Sequence, residues 1–438
     1  MINFIIKKLK FFYYKKIILS YLFYTILILI LSTIFGSKLI LKIDYLFDEN
    51  FNIILSKIPF YYGPLIENIY NGKGYFHNIY GFKSYLDRFP FLPFFVIYIS
   101  KLSVNIYFFL FVKNFIFFSI FFVCLIIYCR KKNVEYIYFF SILAIIFYNF
   151  YNITTLLNFI FSDAFIGILL PSIFLILISE NKYKYIIVSF LLFLLFFMKS
   201  TMIFVTFSIS FLYLIFEKKS GILKRISPLV FFLAASLIWG GFGFLKTGVF
   251  PIGSKISSSN QLSLTTTLNK NFHKYYPKNS VDIIPLDNQQ KVFNNEWEMY
   301  DYYKKKNIKY IKENKKRFLK DTFIKIKFIL FNVHKDAVFP DKNGNYSNPF
   351  MFSHLMNRIV TIMSLIICII SIYKNSLSFK FQKSDIYYLI IYASSVFPYI
   401  VGWATSKHLV GIFLISHIYL ILKILSNKFT KNYFSSIF

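Results

Sequence analysis

Long apolar runs alternate with short basic ones along most of the chain. Windows of roughly 20 apolar residues, long enough to cross a hydrocarbon core as a helix, fall near 17–35, 104–128, 134–150, 162–179, 184–199, 201–216, 227–245, 354–373, 385–403 and 406–424. A backbone in lipid must satisfy its own N–H and C=O groups, so each run is expected as a helix. The pattern predicts an all-α polytopic membrane protein of about ten transmembrane helices. Amphipathic surface helices are expected in the first outer loop, and a long outer loop between spans 7 and 8.

The polar intervals orient the spans. Alternation from an internal N-terminus places CRKK (129–132), ENKYK (180–184), EKKSGILKR (217–225), YKNSLSFKFQK (373–383) and SNKFTKNYF (426–434) on one side. That is where basic residues collect under the positive-inside rule. Residues 36–103 and 246–353 then lie outside. Three units result: an N-terminal transmembrane module 1–245 that includes outer loop 36–103, the external loop 246–353, and C-terminal helices with a basic tail, 354–438. The start, MINFIIKKLKFFYYKK, is basic, and the run behind it is too long for a signal-peptide core, so it is expected to stay as the first helix.

Both outer segments carry local pattern. YGPLIENIYNGKGYF (62–76) predicts a short amphipathic helix followed by a glycine turn, with Pro90 and Pro93 starting the return to the membrane. Residues 296–331 predict one long basic helix with Trp297, Tyr300, Ile308, Ile311, Phe318 and Ile326 near one face. Two readings fit it equally: a helix lying on the membrane surface, or a solvated helix packed on its own domain.

Composition narrows the function. The chain is 57% hydrophobic and carries 50 Lys and Arg against 19 Asp and Glu, a formal charge of +31. Arginine occurs at Arg88, Arg130, Arg225, Arg317 and Arg358, and no soluble basic recognition module appears, so nucleic acid is excluded as a partner. The three cysteines, Cys124, Cys129 and Cys368, fall inside predicted spans and staple no external loop. P-loop, dinucleotide and HExxH patterns do not occur, nor do paired broken spans of the kind that mark many secondary transporters. His417, inside the last span, reads as a packed side chain.

What remains is charge at the predicted outer surface. The acids are Asp44, Asp48, Glu49, Asp87 and Asp163, the last at the start of the fourth span, where it is either functional or a helix-terminal acid. The cations are Arg88, Lys199 at the end of the fifth span, and Lys407 with His408 at the start of the tenth. Helix-end lysines commonly snorkel, but three cationic sites beside acids on one surface suit an anionic lipid headgroup.

These residues resemble the GT-C superfamily of polyprenyl-phosphate-sugar glycosyltransferases, the group of protein mannosyltransferases and lipid A aminoarabinose transferase. Tyr62, Leu65, Asn68, Ile69, Gly72, Gly74 and Tyr75 match its outer-loop stretch, and Arg88-Phe-Pro90-Phe-Leu-Pro93 its Arg-x-Pro-x-x-Pro. FSDAF, FMKST (197–201) and SKHLVGIF resemble its later motifs. The chain departs from the pattern at 57–61, KIPFY, which lacks the usual acid, and in having Lys199 and Lys407 where arginines are usual. The resemblance implies transfer of a sugar from a polyprenyl-phosphate donor to a hydroxyl of a glycan, lipid or protein acceptor, at the outer face of a bacterial inner membrane with both termini cytoplasmic. Asp48 or Glu49 is then the expected base with Asp163 in support, and Tyr62, Arg88, Lys199, Lys407 and His408 the donor-binding residues. The residues single out no cofactor, and a divalent cation is compatible with such a site. The alternatives are a flippase for a lipid-linked saccharide and a polymerase- or ligase-like enzyme.

Overall fold

The computed structural model describes residues 26–27, 30, 48–50, 52–58, 62–78, 81–129, 156–157, 162–217, 220–251, 293–331, 348–376, 381–401 and 409–426. Within them the chain is helical: α1 (Tyr62–Tyr70), α2 (Phe91–Leu102), α3 (Ile106–Cys129), α4 (Ser162–Ile178), α5 (Lys184–Met198), α6 (Met202–Phe216), α7 (Ile222–Thr247), α8 (Glu296–Glu313), α9 (Lys315–Phe331), α10 (Asn348–Ser376), α11 (Lys383–Val401) and α12 (Val410–Ser426). No strand occurs among the described residues, only isolated bridges between Asn52 and Asn105 and between His77 and Ser84.

Four helices are long and apolar enough to cross a membrane, at Ile106–Cys129, Ile222–Thr247, Phe352–Ser376 and Lys383–Val401; α4, α5, α6 and α12 are shorter apolar helices. These eight fall on expected spans. The span expected at 134–150, and 17–35 apart from residues 26–27 and 30, lie outside the described residues.

Helix α4 is the hub. Ser162 through Leu177 are all buried, and α3, α5, α11 and α12 pack around them. A helix apolar on every side has no face for water or lipid, and this one is enclosed by other helices. Small residues set the closest crossing. A Cβ on Gly167 would lie 2.6 Å from Leu156 Cδ2 and 3.3 Å from Val410 Cγ1, and one on Gly411 2.9 Å from Leu170 Cδ1. Glycine therefore lets α4 and α12 approach backbone to backbone.

Charges segregate to the two ends of the helices. Lys184, at the start of α5, pairs with Glu217 beyond the end of α6 at 2.8 Å, and Lys383 reaches the same carboxylate at 2.8 Å. At this end too, Asp385 accepts from Lys423 at 2.5 Å and from Tyr419 at 2.8 Å. The opposite end of α5 carries Lys199, which pairs with Asp163 at 2.7 Å. A 15-residue helix spans about 22 Å, so α5 separates two polar layers across an apolar middle.

Residues of the 62–88 segment pack on the second layer. Gly72 and Gly74 adopt φ of 72° and 110°, the left-handed region that side chains disfavour, and they turn the chain after α1. Asn68 secures the turn by donating Nδ2 to Phe76 O at 2.8 Å. The 296–331 segment is not one helix. It breaks at Asn314, whose Nδ2 bonds Tyr310 O at 3.0 Å, a side-chain bond that competes with helix continuation.

Of the expected stripe, Tyr300 is buried, Trp297, Ile311, Phe318 and Ile326 are half-buried, and Ile308 is exposed. In α8 Met299 and Tyr300 are buried while Ile308 is exposed. In α9 Asp321, Lys325 and Ile329 turn inward and Leu319 and Phe323 outward. The polar groups on the inward side of α9 find partners on its neighbours: Lys325 Nζ donates to Val401 O at 3.0 Å, and Ile329 O accepts from Arg358 of α10.

Helix α1 seats on a 3-10 turn at Leu55–Lys57. A Cβ at Gly63 would lie 2.2 Å from Ser56 O and 2.8 Å from Ile58 O. Gly63→Ala is expected to cost about 1–3 kcal/mol through overpacking, seen as a lowered thermal unfolding midpoint in detergent. An unchanged midpoint would show that the 55–57 turn yields freely.

Candidate functional site

Asp163 heads α4 with its side chain 8% exposed, and the Lys199 ammonium, just past α5, sits 2.7 Å from its Oδ1. Lys199 also lies 5.6 Å from the centre of the Tyr399 ring of α11, and the Tyr399 hydroxyl is 3.1 Å from that of Thr201 at the start of α6. Four helix ends thus meet on one ion pair.

The 62–88 segment closes over it. Tyr62, buried at the start of α1, has Ser162 within hydrogen-bonding reach, and burial pushes its hydroxyl up although Arg88 and Lys199 stand beside it. The Arg88 guanidinium lies over the Tyr62 ring at 5.5 Å, within cation–π range. Its backbone is held from the other side by Tyr75, whose hydroxyl donates to Arg88 O at 2.5 Å. Tyr75 packs against Phe94, Trp239 and Phe242, with ring centroids 6.0, 6.5 and 5.3 Å away. Tyr62 therefore borders the Asp163–Lys199 pair, with Arg88 against Tyr62 and Tyr75 behind Arg88.

Of the expected site residues, the structure brings Asp163, Tyr62, Arg88 and Lys199 together. Asp48 and Glu49 are exposed. The Asp48 carboxylate accepts from the Asn50 and Asn52 amides at 3.0 and 2.8 Å and from Asn52 Nδ2 at 2.9 Å. The Asn52 bonds hold its carboxyl below the usual range. That segment is anchored at the α2–α3 corner, where Ile53 N donates to Val104 O at 2.9 Å. Neither acid joins the Asp163 group among the described residues. Lys407 and His408 lie outside the described residues. The divalent cation has no preformed set of three His, Cys, Asp or Glu ligands among the described residues.

Several polar residues escaped the sequence reading. Lys113, buried in mid α3, donates to Leu156 O and Leu157 O at 2.7 and 2.9 Å, just ahead of the helix that carries Asp163. Its signal was available: a lysine inside an apolar span needs a partner. Tyr399 and Lys325 had no such signal, being one tyrosine and one lysine among many. Burial pushes the Lys325 ammonium down to about 8.

Chemically, the arrangement combines a carboxylate with two cations of different geometry. Arg88 offers a planar fork for oxyanions, and Lys199 has three rotatable donors, enough to hold Asp163 and a second anion together. Comparison with known protein families, curated proteins and solved structures returns no match.

Breaking the ion pair from one side should be costly, because it leaves a buried charge alone. Lys199→Met is expected to destabilise by about 3–5 kcal/mol, and adding Asp163→Asn to recover most of that loss. Thermal unfolding of the two single variants and the double variant measures it. Additive losses would show that the two groups do not interact.

Proposed function

We propose that the protein is a membrane glycosyltransferase that moves a sugar from a polyprenyl-phosphate donor to an acceptor hydroxyl at the external face of the membrane, in cell-envelope glycan or glycolipid synthesis. The observation that carries this reading is the convergence of Asp163, Lys199 and Arg88 at one end of an apolar helical layer, closed by the Tyr62–Tyr75 loop. A lipid-linked donor presents its reactive carbon at that depth, and its phosphate needs cations held there.

The acceptor oxygen attacks the anomeric carbon, forming the new C–O bond as the bond to the phosphate oxygen breaks. The acceptor proton passes to a carboxylate, and the phosphate leaves as an anion that needs no proton. One base and cations on the phosphate suffice, unlike the paired carboxylates of glycoside hydrolysis. Within this reading Asp163 is the base, because it pairs with Lys199 and borders Tyr62, over whose ring Arg88 lies, whereas the Asp48 carboxylate is engaged in its own turn. Lys199 and Arg88 take the phosphate, with Lys407 and His408 as further contacts. The external face is periplasmic, in a bacterial inner membrane.

Asp163→Asn is expected to lower transfer by about 10²–10⁴-fold while the protein still retains donor lipid. Full activity in Asp163→Asn, with loss in an Asp48→Asn, Glu49→Gln double variant, would return the base to the first loop.

Native mass spectrometry of gently purified protein should show a bound polyprenyl phosphate or its glycosylated form, lost in a Lys199→Ala, Lys407→Ala variant. Retention in both would move the lipid elsewhere. Labelled sugar crossing liposomes without a new glycosidic bond would favour a flippase instead.

A further inference from the structure

A second buried cluster adjoins Arg88 and plays no part in the transfer step. His77 Nε2 and Asp87 Oδ2 stand 2.9 Å apart, with side-chain exposures of 1% and 0%. Glu296, in the first turn of α8 and more than 200 residues away in sequence, reaches the same segment. Its Oε2 accepts from Ser84 Oγ at 3.1 Å and from the Leu86 amide at 3.2 Å, and its Oε1 from the Tyr85 amide at 3.3 Å. One carboxylate therefore gathers three consecutive donors two residues short of Arg88.

The turn that carries Glu296 is itself built to stay put. Asn295 caps it by accepting from the amides of Trp297 and Glu298 at 3.0 and 2.9 Å. Trp297 Nε1 donates to Thr247 Oγ1 at 2.8 Å, at the end of α7. Glu296 is 3% exposed, too enclosed to meet a substrate, so its contribution is made through what it holds.

We propose that α8 is a latch on the anion site, with Glu296 the positioning residue that holds segment 84–88 and thereby sets Arg88 against Tyr62. The inference rests on the reading of Arg88 as a phosphate contact.

The latch responds to protons. Asp87 is the charged group facing Glu296, with His77 and Arg88 beside Asp87, while α7 presents the neutral Thr247. Burial, then the Asp87 charge, pushes the Glu296 carboxyl up to about 7 from 4.5. A carboxyl raised on docking favours the docked state fully below about 4.5 and loses that advantage as pH rises through about 7. Asp87 acts in the opposite sense. Although burial opposes it, hydrogen bonding to His77 and the Arg88 charge hold its carboxyl below 3.8. Its contribution is present at neutral pH and lost only in strong acid. Docking is therefore tightest in mildly acid solution.

Hydrogen–deuterium exchange of the α8 amides in the full-length protein in lipid nanodiscs, corrected for intrinsic rates, tests the latch at pH 6 and pH 8. Wild type is expected to exchange several-fold faster at pH 8. Glu296→Gln, whose neutral amide still accepts a backbone bond, should be protected alike at both pH values. Glu296→Ala should exchange fast at both and retain a polyprenyl monophosphate probe about tenfold less well, with partial rescue in Glu296→Gln. Ser84→Ala, which removes one donor, serves if Glu296→Ala fails to fold, and is expected to fall between the two.

Wild-type protection in Glu296→Ala, or in Ser84→Ala where that variant stands in, would overturn the latch. The same pH response in wild type and Glu296→Gln would overturn the proton dependence. Undiminished probe retention beside lost protection would overturn the positioning of Arg88. If wild type bound no probe lipid, the transferase reading would fall, and exchange alone would still decide the latch.

Discussion

At membrane depth a charge with no partner costs several kcal/mol, and removing one member of a buried pair costs about as much. The Asp163–Lys199 contact meets that constraint, and much of the surrounding structure follows from it. Asp163 can head a fully enclosed helix because Lys199 ends the neighbouring one at the same level. That level also receives Thr201, Tyr399 and Tyr62. Lys113 meets the same constraint deeper in the helices, by bonding the carbonyls of Leu156 and Leu157.

The polar layer at the other end differs in kind. Glu217 is shared by Lys184 and Lys383, and Asp385 is held by Lys423, Tyr419 and Ser371. These are closed sets in which each carboxylate is surrounded by donors from other helices, as suits a fastening between helix ends. The Asp163 end has an arginine and a loop that closes over the pair. The asymmetry is one of composition: the Asp163 end adds Arg88, which is half-buried and carried on the loop rather than on one of the packed helices.

The loop explains how two segments far apart in sequence act on one site. Gly72 and Gly74 turn the chain so that Tyr75 can brace the Arg88 backbone, and Glu296 fastens residues 84–86 from α8. The break at Asn314 is part of the same arrangement. On either side of it, α8 delivers Glu296 to residues 84–86 and α9 lays Lys325 against the end of α11.

Hydrophobic run length by itself determined the helical class and where the long apolar helices lie, because a backbone in lipid has few alternatives to a helix and about 20 apolar residues to cross with. Charge against an apolar background also picked out Asp163, Lys199 and Arg88, whereas Tyr62 was reached only through the resemblance of its loop motif. The partners of those residues were decided only in three dimensions. Nothing local in EWEMY says that Glu296 receives the amides of residues 85 and 86, and nothing in FDENF says that Asp48 is consumed by its own turn. The inward face of α9 likewise carries Asp321 and Lys325 beside the expected Phe318 and Ile326, and the carbonyl of Val401 that receives Lys325 is not written in the local pattern. Burial and pairing arise from packing between distant segments, and a one-dimensional pattern records which groups need partners without recording which ones they find.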